Sequence, residues 1–314
     1  MADRDTVIDS FLSAHGWDGA KRGPMSGDAS FRRYFRLRRG EDASAMLMYA
    51  PPPNEDPVPF LRAARWLDDN GLRPPRILAE DAAQGFVLLE DFGDARVRDY
   101  LDEWPGDEMA IYTGAVDALV QLHDLPGGPF NDYTLSEYLR EAKLLTEWYV
   151  PAQKLYVDVE GYAKAWETVL ADLLPRQRPG VAVLRDYHAE NIMLLGSLEK
   201  QGLLDFQDAL VGHRAYDLVS LLQDARRDVS PEVEQAMIAH YVRATGCDPE
   251  VLLADYARLG AYDGVFRQMG LERFEIFALG GWLTARRSRR GSPPIRRGCL
   301  GRPPGGRGHR QGRR

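Results

Sequence analysis

The sequence predicts an α+β protein in two lobes, a small β-rich one at the N-terminus and a mostly helical one after it. Three observations carry this expectation. Between residues 31 and 89, apolar residues alternate in short runs separated by Gly, Pro and acidic clusters, as half-buried strands do. From residue 107 onward they recur at three- and four-residue spacing, as amphipathic helices do. The helical part is interrupted between 181 and 208 by two apolar runs flanking a polar loop. The expected divisions are residues 1–93 for the first lobe, 94–279 for the second, and 280–314 for a tail of different composition.

In chain order, Val7, Ile8, Phe11 and Leu12 predict a short helix over 3–14 that caps the first lobe. The small residues SGDAS, 26–30, precede two alternating runs, FRRYFRLRRG and AMLMYA, which predicts a hairpin with a glycine-containing turn nearby. Residues 57–70, PVPFLRAARWLDDN, form a helix with Phe60, Leu61, Ala64 and Leu67 on one face and Gly71 as its stop. Pro74–Leu78 and Gly85–Leu89 read as strands joined by a polar turn at Glu80–Asp81, leading into Glu90-Asp91-Phe92-Gly93.

The second lobe begins with helices at 107–124, 134–150 and 161–174, broken by Pro-Gly-Gly-Pro at 126–129 and by Pro175. After residue 208 come helices at 216–228, 231–245 and 249–279. Asp217 falls in the first turn of one of them, where unpaired backbone N–H groups and the helix dipole favour a carboxylate. In the last thirty residues Gly, Pro and Arg dominate and periodicity disappears. Disorder or a shifted reading frame accounts for that composition better than nucleic-acid binding does.

At 314 residues the chain has ample length for a core, and its 44% hydrophobic and 28% charged residues are those of a soluble globular protein. No apolar run approaches the roughly 20 residues that span a bilayer, and the start lacks the order of a signal peptide. A cytoplasmic protein without membrane contact is expected. Cys247 and Cys299 are too few and too far apart for a disulfide framework or a zinc site. The net charge is −7, and residues 285–314 hold eleven Arg, no Lys and no acid, so the first 284 carry −18 (−7 less the tail's 11). So acidic a body is a poor partner for nucleic acid.

The stretch VAVLRDYHAENIMLLGSLEKQGLLDFQD, 181–208, carries the chemistry. An apolar run ends at Leu184, an Arg-Asp pair follows, an Asn stands five residues after the Asp, and a second apolar run closes on Asp205. That is the layout of a phosphoryl-transfer catalytic loop: one Asp faces the acceptor hydroxyl, while an Asn and a later Asp hold magnesium. Asp186, Asn191 and Asp205 occupy those positions. Their oxygens are the hard donors that magnesium prefers. Alternatively, Asp186 and Asn191 merely serve a tight turn.

On the phosphoryl-transfer reading, Gly27 and Ser30 lie in a turn whose N–H groups cover phosphates, or simply close a hairpin. Leu89–Gly93 becomes a hinge, where Glu90 and Phe92 present backbone groups to an adenine edge. A kinase places a phosphate-gripping Lys on the strand MLMYA and a supporting Glu in the next helix. Here Met48 or a neighbour stands in the first place, and the second is empty of acid. Arg32, Arg33 or Arg36 could supply the cation, or all three could lie on a solvated strand face. Glu147 and Trp148 could stack on and hydrogen-bond a sugar, or be core. Asp208, Tyr216 and Asp224, the last with Arg226 and Arg227, are candidates for the border of an acceptor pocket.

With LRDYHAEN and LLDFQDA as its strongest parts, the chain resembles the aminoglycoside phosphotransferase family of small-molecule kinases over roughly residues 5–279. The resemblance implies a bilobal protein-kinase-like fold, ATP and Mg2+ as cofactors, Asp186 as catalytic base, and Asn191 and Asp205 as magnesium ligands. GDASFRRYFR, the Lys-free MLMYAPP and DFQDALVGHRAYDLVSLLQDAR are most similar to the branch that phosphorylates N-acetylmuramate and N-acetylglucosamine at C1 in cell-wall recycling. The implied partner is a small amino sugar. Aminoglycoside or fructosamine-type kinases, and a non-catalytic nucleotide-binding protein, are the alternatives. Three departures stand out: Leu184 replaces the usual His, Gln207 stands where protein kinases have Gly, and His188 stands where they often have a Lys near the transferred phosphate. His188 either donates to that phosphate or braces the loop.

Overall fold

The computed structural model describes residues 4–24, 31–41 and 43–268. Gly27, Ser30 and the tail from 280 lie outside them. Five antiparallel strands form the N-terminal sheet: β1 (Lys21–Pro24), β2 (Arg33–Arg39), β3 (Ala43–Tyr49), β4 (Ile77–Asp81) and β5 (Phe86–Glu90), in the order β1-β2-β3-β5-β4. Both faces are covered. Ala45, Leu47 and Tyr49 of β3 and Phe86 and Leu88 of β5 pack on Ile8, Phe11 and Leu12 of α1 (Arg4–Ala14). The alternate residues Met48, Val87 and Leu89 join Phe60, Leu61, Ala64 and Leu67 of α2 (Val58–Asp69) in the main core. Burial from both sides explains why Phe86–Leu89 of β5 are all apolar.

The sheet contains one strand without a sequence expectation and corrects two expectations. The strand β1, whose KRGP shows no apolar alternation, was not anticipated; it is a four-residue edge strand, where a terminal Pro is tolerated. The strand expected at 74–78 starts at Ile77, because Pro74 and Pro75 have no N–H for the ladder. The turn expected at Glu80–Asp81 lies one step later. Asp81 ends β4, and its carboxylate accepts the N–H of Gln84 at 3.1 Å, beginning a turn completed by Gly85 at φ +78°. A Cβ on Gly85 would fall 1.9 Å from the Ala50 carbonyl oxygen, so no other residue fits there.

The C-terminal part is helical: α3 (Val97–Glu103), α4 (Glu108–His123), α5 (Leu135–Leu144), α6 (Val150–Ala152), α7 (Val159–Leu173), α8 (Ala215–Leu222), α9 (Pro231–Thr245) and α10 (Pro249–Gln268). Four three-residue strands between α7 and α8 form two antiparallel pairs, β6 (Val181–Val183) with β9 (Leu210–Gly212) and, between them in sequence, β7 (Ile192–Leu194) with β8 (Gln201–Leu203). The helix expected over 134–150 breaks at Leu145 into a π-turn through Tyr149. Pro151 accounts for this: it has no N–H for the carbonyl four residues back and its ring crowds that carbonyl. The helix expected over 216–228 ends at Leu222, because the Asp224 side chain bonds backbone N–H groups instead of continuing the helix. Among the described residues no helix is long and apolar enough to cross a membrane.

Candidate active site

The loop after β6 is fixed from several sides just before Asp186. Arg185 adopts φ +75° and Asp205 φ +58°, a left-handed conformation uncommon outside Gly and held only where the surroundings enforce it. For Arg185 the enforcement is visible. Asp217, on the first turn of α8, accepts the N–H of Leu184 at 2.6 Å and of Arg185 at 2.9 Å. Ser220 Oγ donates to the Arg185 carbonyl at 3.0 Å. The Arg185 guanidinium donates to Glu141 of α5 at 2.5 Å and to the Asp208 carbonyl at 3.4 Å. Burial pushes the Asp217 carboxyl up to about 7, while the two N–H groups and the Arg185 charge pull the other way.

Asp186 is 4% exposed. Asn191, five residues on, donates from Nδ2 to the Asp186 carbonyl at 3.0 Å and lies 3.4 Å from Asp205 Oδ2. A carbonyl only accepts, so this bond fixes the amide's orientation and leaves the carboxamide oxygen of Asn191 for a cation. Asp205 is carried to Asn191 by the β7–β8 pair, since Asn191 precedes β7 and Asp205 follows β8. Among the described residues no group of three or more His, Cys, Asp or Glu has metal-binding geometry. One carboxylate and one carboxamide still suit magnesium, which takes few protein ligands and leaves its other positions to phosphate and water.

His188 is buried, with Nε2 3.2 Å from Asn191 Nδ2. The amide is the donor, so Nε2 accepts and the imidazole orients the Asn191 carboxamide. Asp208 is half-buried and takes a bond from Gln207 Nε2 at 3.3 Å, the same nitrogen that reaches Asp205 Oδ1 at 2.7 Å. Asp224 is buried and accepts the N–H of Ala189 at 3.3 Å and of Arg226 at 2.8 Å, so it supports the loop from the α8 side.

A cleft of about 540 Å3 opens beside these groups. Tyr34, Arg36 and Met46 line it from the sheet, Leu89–Gly93 from the connection between the parts, and His188, Asn191, Met193, Leu204 and Asp205 from the helical part. Phe92 sits between the Arg73 guanidinium, 4.9 Å from its ring centre, and β8, where a Cβ on Gly202 would come within 2.4 Å of the ring. The carboxylate of Glu90 is taken by Arg73 at 2.6 Å and the Arg76 N–H at 3.3 Å. Burial works against its charge, but these donors hold its carboxyl below the usual range.

Of the remaining candidates, Arg32 lies within the field of Asp205 and Asp208, and the others are dispersed. Arg33 is exposed and Arg32 is buried at 7% exposure. Glu147 is exposed on the π-turn, and Trp148 packs against the main core. Tyr216 is buried, with its hydroxyl 3.2 Å from that of Tyr133 in a cluster with Tyr138 and Tyr262.

A family model described as the phosphotransferase enzyme family, APH, matches residues 22–262. The chain belongs to the APH phosphotransferase family. As a member it is a kinase that uses ATP to phosphorylate a hydroxyl group. Among curated proteins it is similar to an N-acetylmuramate/N-acetylglucosamine kinase of Caulobacter vibrioides, 34% identical over 315 residues, covering 86% of this chain and 85% of the relative. A protein of the same name from Pseudomonas aeruginosa is 38% identical over 275 residues, covering 84% and 80%. Of solved structures, choline kinase LicA from Streptococcus pneumoniae superposes with a TM-score of 0.60 at 12% identity, covering 91% of this chain and 99% of that one. Aminoglycoside-3'-phosphotransferase of type VIII gives 0.55 at 20%, covering 82% and 98%. These two establish the APH chain's protein-kinase-like fold and nothing finer.

Residues that the sequence does not mark but that brace this region are Glu141, Arg185 and Tyr133 beside the loop, and Arg73 beside Glu90 and Phe92. Glu141 looks like any surface acid on an amphipathic helix, yet it is 1% exposed and accepts from Arg185, Tyr133 and Tyr262. Its only sequence signal was a lone acid between the apolar positions Tyr138 and Ala142 of α5.

Proposed function

We propose that the protein transfers the γ-phosphoryl group of ATP to the anomeric hydroxyl of N-acetylmuramate or N-acetylglucosamine, in the cytoplasm, as a step of cell-wall recycling. The observation that supports the chemistry is that the Asn191 amide is held by the Asp186 backbone carbonyl while lying 3.4 Å from the Asp205 carboxylate, with its own oxygen left over. The sugar is supported by the curated relatives, which bear that activity in their names. In this reading residues 1–93 bind the nucleotide, with Gly27, Ser30, Glu90 and Phe92 among its contacts, and residues 94–279 hold the catalytic loop and the acceptor.

Asp186 orients the sugar hydroxyl and takes its proton as the oxygen bonds to the γ-phosphorus, while the bond to the β,γ-bridging oxygen breaks and ADP departs with the electron pair. Asn191 and Asp205 would hold magnesium, which neutralises charge on the phosphates. His188 keeps the Asn191 amide turned, and Asp217, Asp224 and Arg185 hold the loop so that Asp186 meets the acceptor without rearrangement. Asp208, joined to Asp205 through the Gln207 amide, offers a further carboxylate for sugar hydroxyls.

The test is an ADP-release assay over N-acetylmuramate, N-acetylglucosamine, kanamycin and a fructosamine, with the phosphate position read by NMR. Turnover on the amino sugars with phosphate on C1 is expected, and Asp186→Asn should lower kcat by about 10²-fold or more at unchanged ATP affinity. Turnover on kanamycin alone, or an Asp186→Asn variant as fast as the wild type, would overturn the assignment.

A further inference from the structure

The protein-kinase fold grips nucleotide phosphates with a Lys on its third strand, held by a Glu from the next helix. Here Met48 occupies β3, fully buried, and α2 contributes Ala63 and Ala64 to the core. We propose that Arg32 and Glu55 replace that pair: Arg32 binds the β- and γ-phosphates, and Glu55 holds the guanidinium ready for them. This rests on the cleft being the ATP site; it does not depend on which sugar is the acceptor.

Strand geometry selects one arginine of three. In the β2–β3 register Tyr34 lies opposite Met48 and Arg36 opposite Met46, on the face that lines the cleft. Tyr34 Oη donates to Met48 Sδ at 3.4 Å, so the tyrosine covers the place from which the usual Lys would extend. Period-two alternation sends Arg33 to the other face, where it is exposed. Arg36 is committed to the hinge, donating to Asp91 at 3.1 Å, to Asp94 at 2.5 Å and to the Gly93 carbonyl at 2.9 Å. Arg32, two residues before Tyr34, lies just outside β2 on the same side by that alternation, at the end nearest Glu55.

The surroundings of Arg32 are those of a phosphate grip. It is 7% exposed, and Nε lies 3.9 Å from Glu55 Oε2. Burial works against its charge, but Tyr34, Asp205, Glu55 and Asp208 more than offset that and raise its basicity. Asp205 is the carboxylate expected to share a cation with the phosphates, so a guanidinium within its field lies where phosphate oxygens must come. An Arg fork also matches phosphate in two parallel bonds, which a Lys does not. Glu55 makes a second contact, its Oε1 accepting the Phe31 N–H at 3.0 Å, so it fixes both the backbone leading into Arg32 and the side chain. It comes from the segment PPPNEDP, whose prolines restrict the backbone and lower the entropic cost of holding it there.

Calorimetric titration of ATP, ADP and adenosine into the full chain and its variants tests this. Arg32→Ala should weaken ATP and ADP by about 10- to 100-fold, the range for hydrogen bonds to charged groups, and leave adenosine within about twofold. Arg32→Lys should fall between, and Arg33→Ala should match the wild type. Glu55→Gln should weaken ATP but not adenosine, and should add little once Arg32 is already Ala, as a positioning residue acting through Arg32 must. Equal losses for ATP and adenosine, an effect of Arg33→Ala as large as that of Arg32→Ala, or additive losses in the double variant would each overturn the proposal. Should Arg32→Ala fail to fold, Arg32→Lys and Arg32→Gln with adenosine as internal control decide the same question.

Discussion

Replacing Glu141 by Gln removes the counter-charge of a buried guanidinium while keeping the side chain's shape. Glu141 is 1% exposed, and Arg185, 8% exposed, donates to it at 2.5 Å. Breaking a buried pair from one side costs about 3–5 kcal/mol, because the remaining charge stays out of water with its main counter-charge gone. The amide also turns an N–H2 toward a partner set made of donors: Arg185, Tyr133 and Tyr262. At about 2–4 °C per kcal/mol for a chain of this size, the melting temperature should drop by roughly 6–20 °C in a thermal scan. Because Arg185 immediately precedes Asp186, kcat should fall at least about tenfold while the KM for ATP changes less than about twofold. Replacing both partners, Glu141→Gln with Arg185→Gln, should recover part of the lost stability, since neither variant side chain is charged. A single variant melting within about 1 °C of the wild type with unchanged kcat would refute the idea that this pair holds the catalytic loop.

Two further outcomes follow from buried titratable groups. Asp217→Asn leaves one of the Leu184 and Arg185 N–H groups without an acceptor, a loss of about 1–3 kcal/mol; melting several degrees lower and a reduced kcat are expected, and a variant with wild-type kcat would show that the loop holds its left-handed turn unaided. Burial, then the charges of Arg214 and His213, push the His123 imidazole down to about 3, and its Nδ1 lies 2.7 Å from Tyr241 Oη. Its folded pKa is depressed, so its contribution is complete above the unfolded value near 6.5 and is lost as pH falls from there toward 3. That amounts to about 2 kcal/mol at pH 5, and His123→Gln should remove it from the acid limb of a Tm-against-pH profile; parallel limbs for the two proteins would contradict this.

The sequence by itself determined the architecture and the middle of the site. That Asn191 lies against the Asp186 backbone and beside Asp205 was legible because short loops and the β7–β8 pair leave few ways to arrange them, so spacing and proximity are nearly one fact. The core face of α2 was legible for a similar reason, since burial follows a local period; the burial of β3 and β5 from both sides was not, because their alternation reads as that of half-buried strands until α1 and α2 are seen to cover opposite faces. What only the tertiary structure decided is which charges are paired. Arg185 with Glu141, Arg36 with Asp91, and Leu184 and Arg185 with Asp217 join residues 44, 55, 33 and 32 positions apart. An Arg or Glu in a sequence looks the same whether it is solvated or buried against a partner, and the partner is chosen by how helices and sheet pack. Helix ends escaped the sequence where a side chain competed for the backbone, as at Asp224, or where a ring excluded a hydrogen bond, as before Pro151.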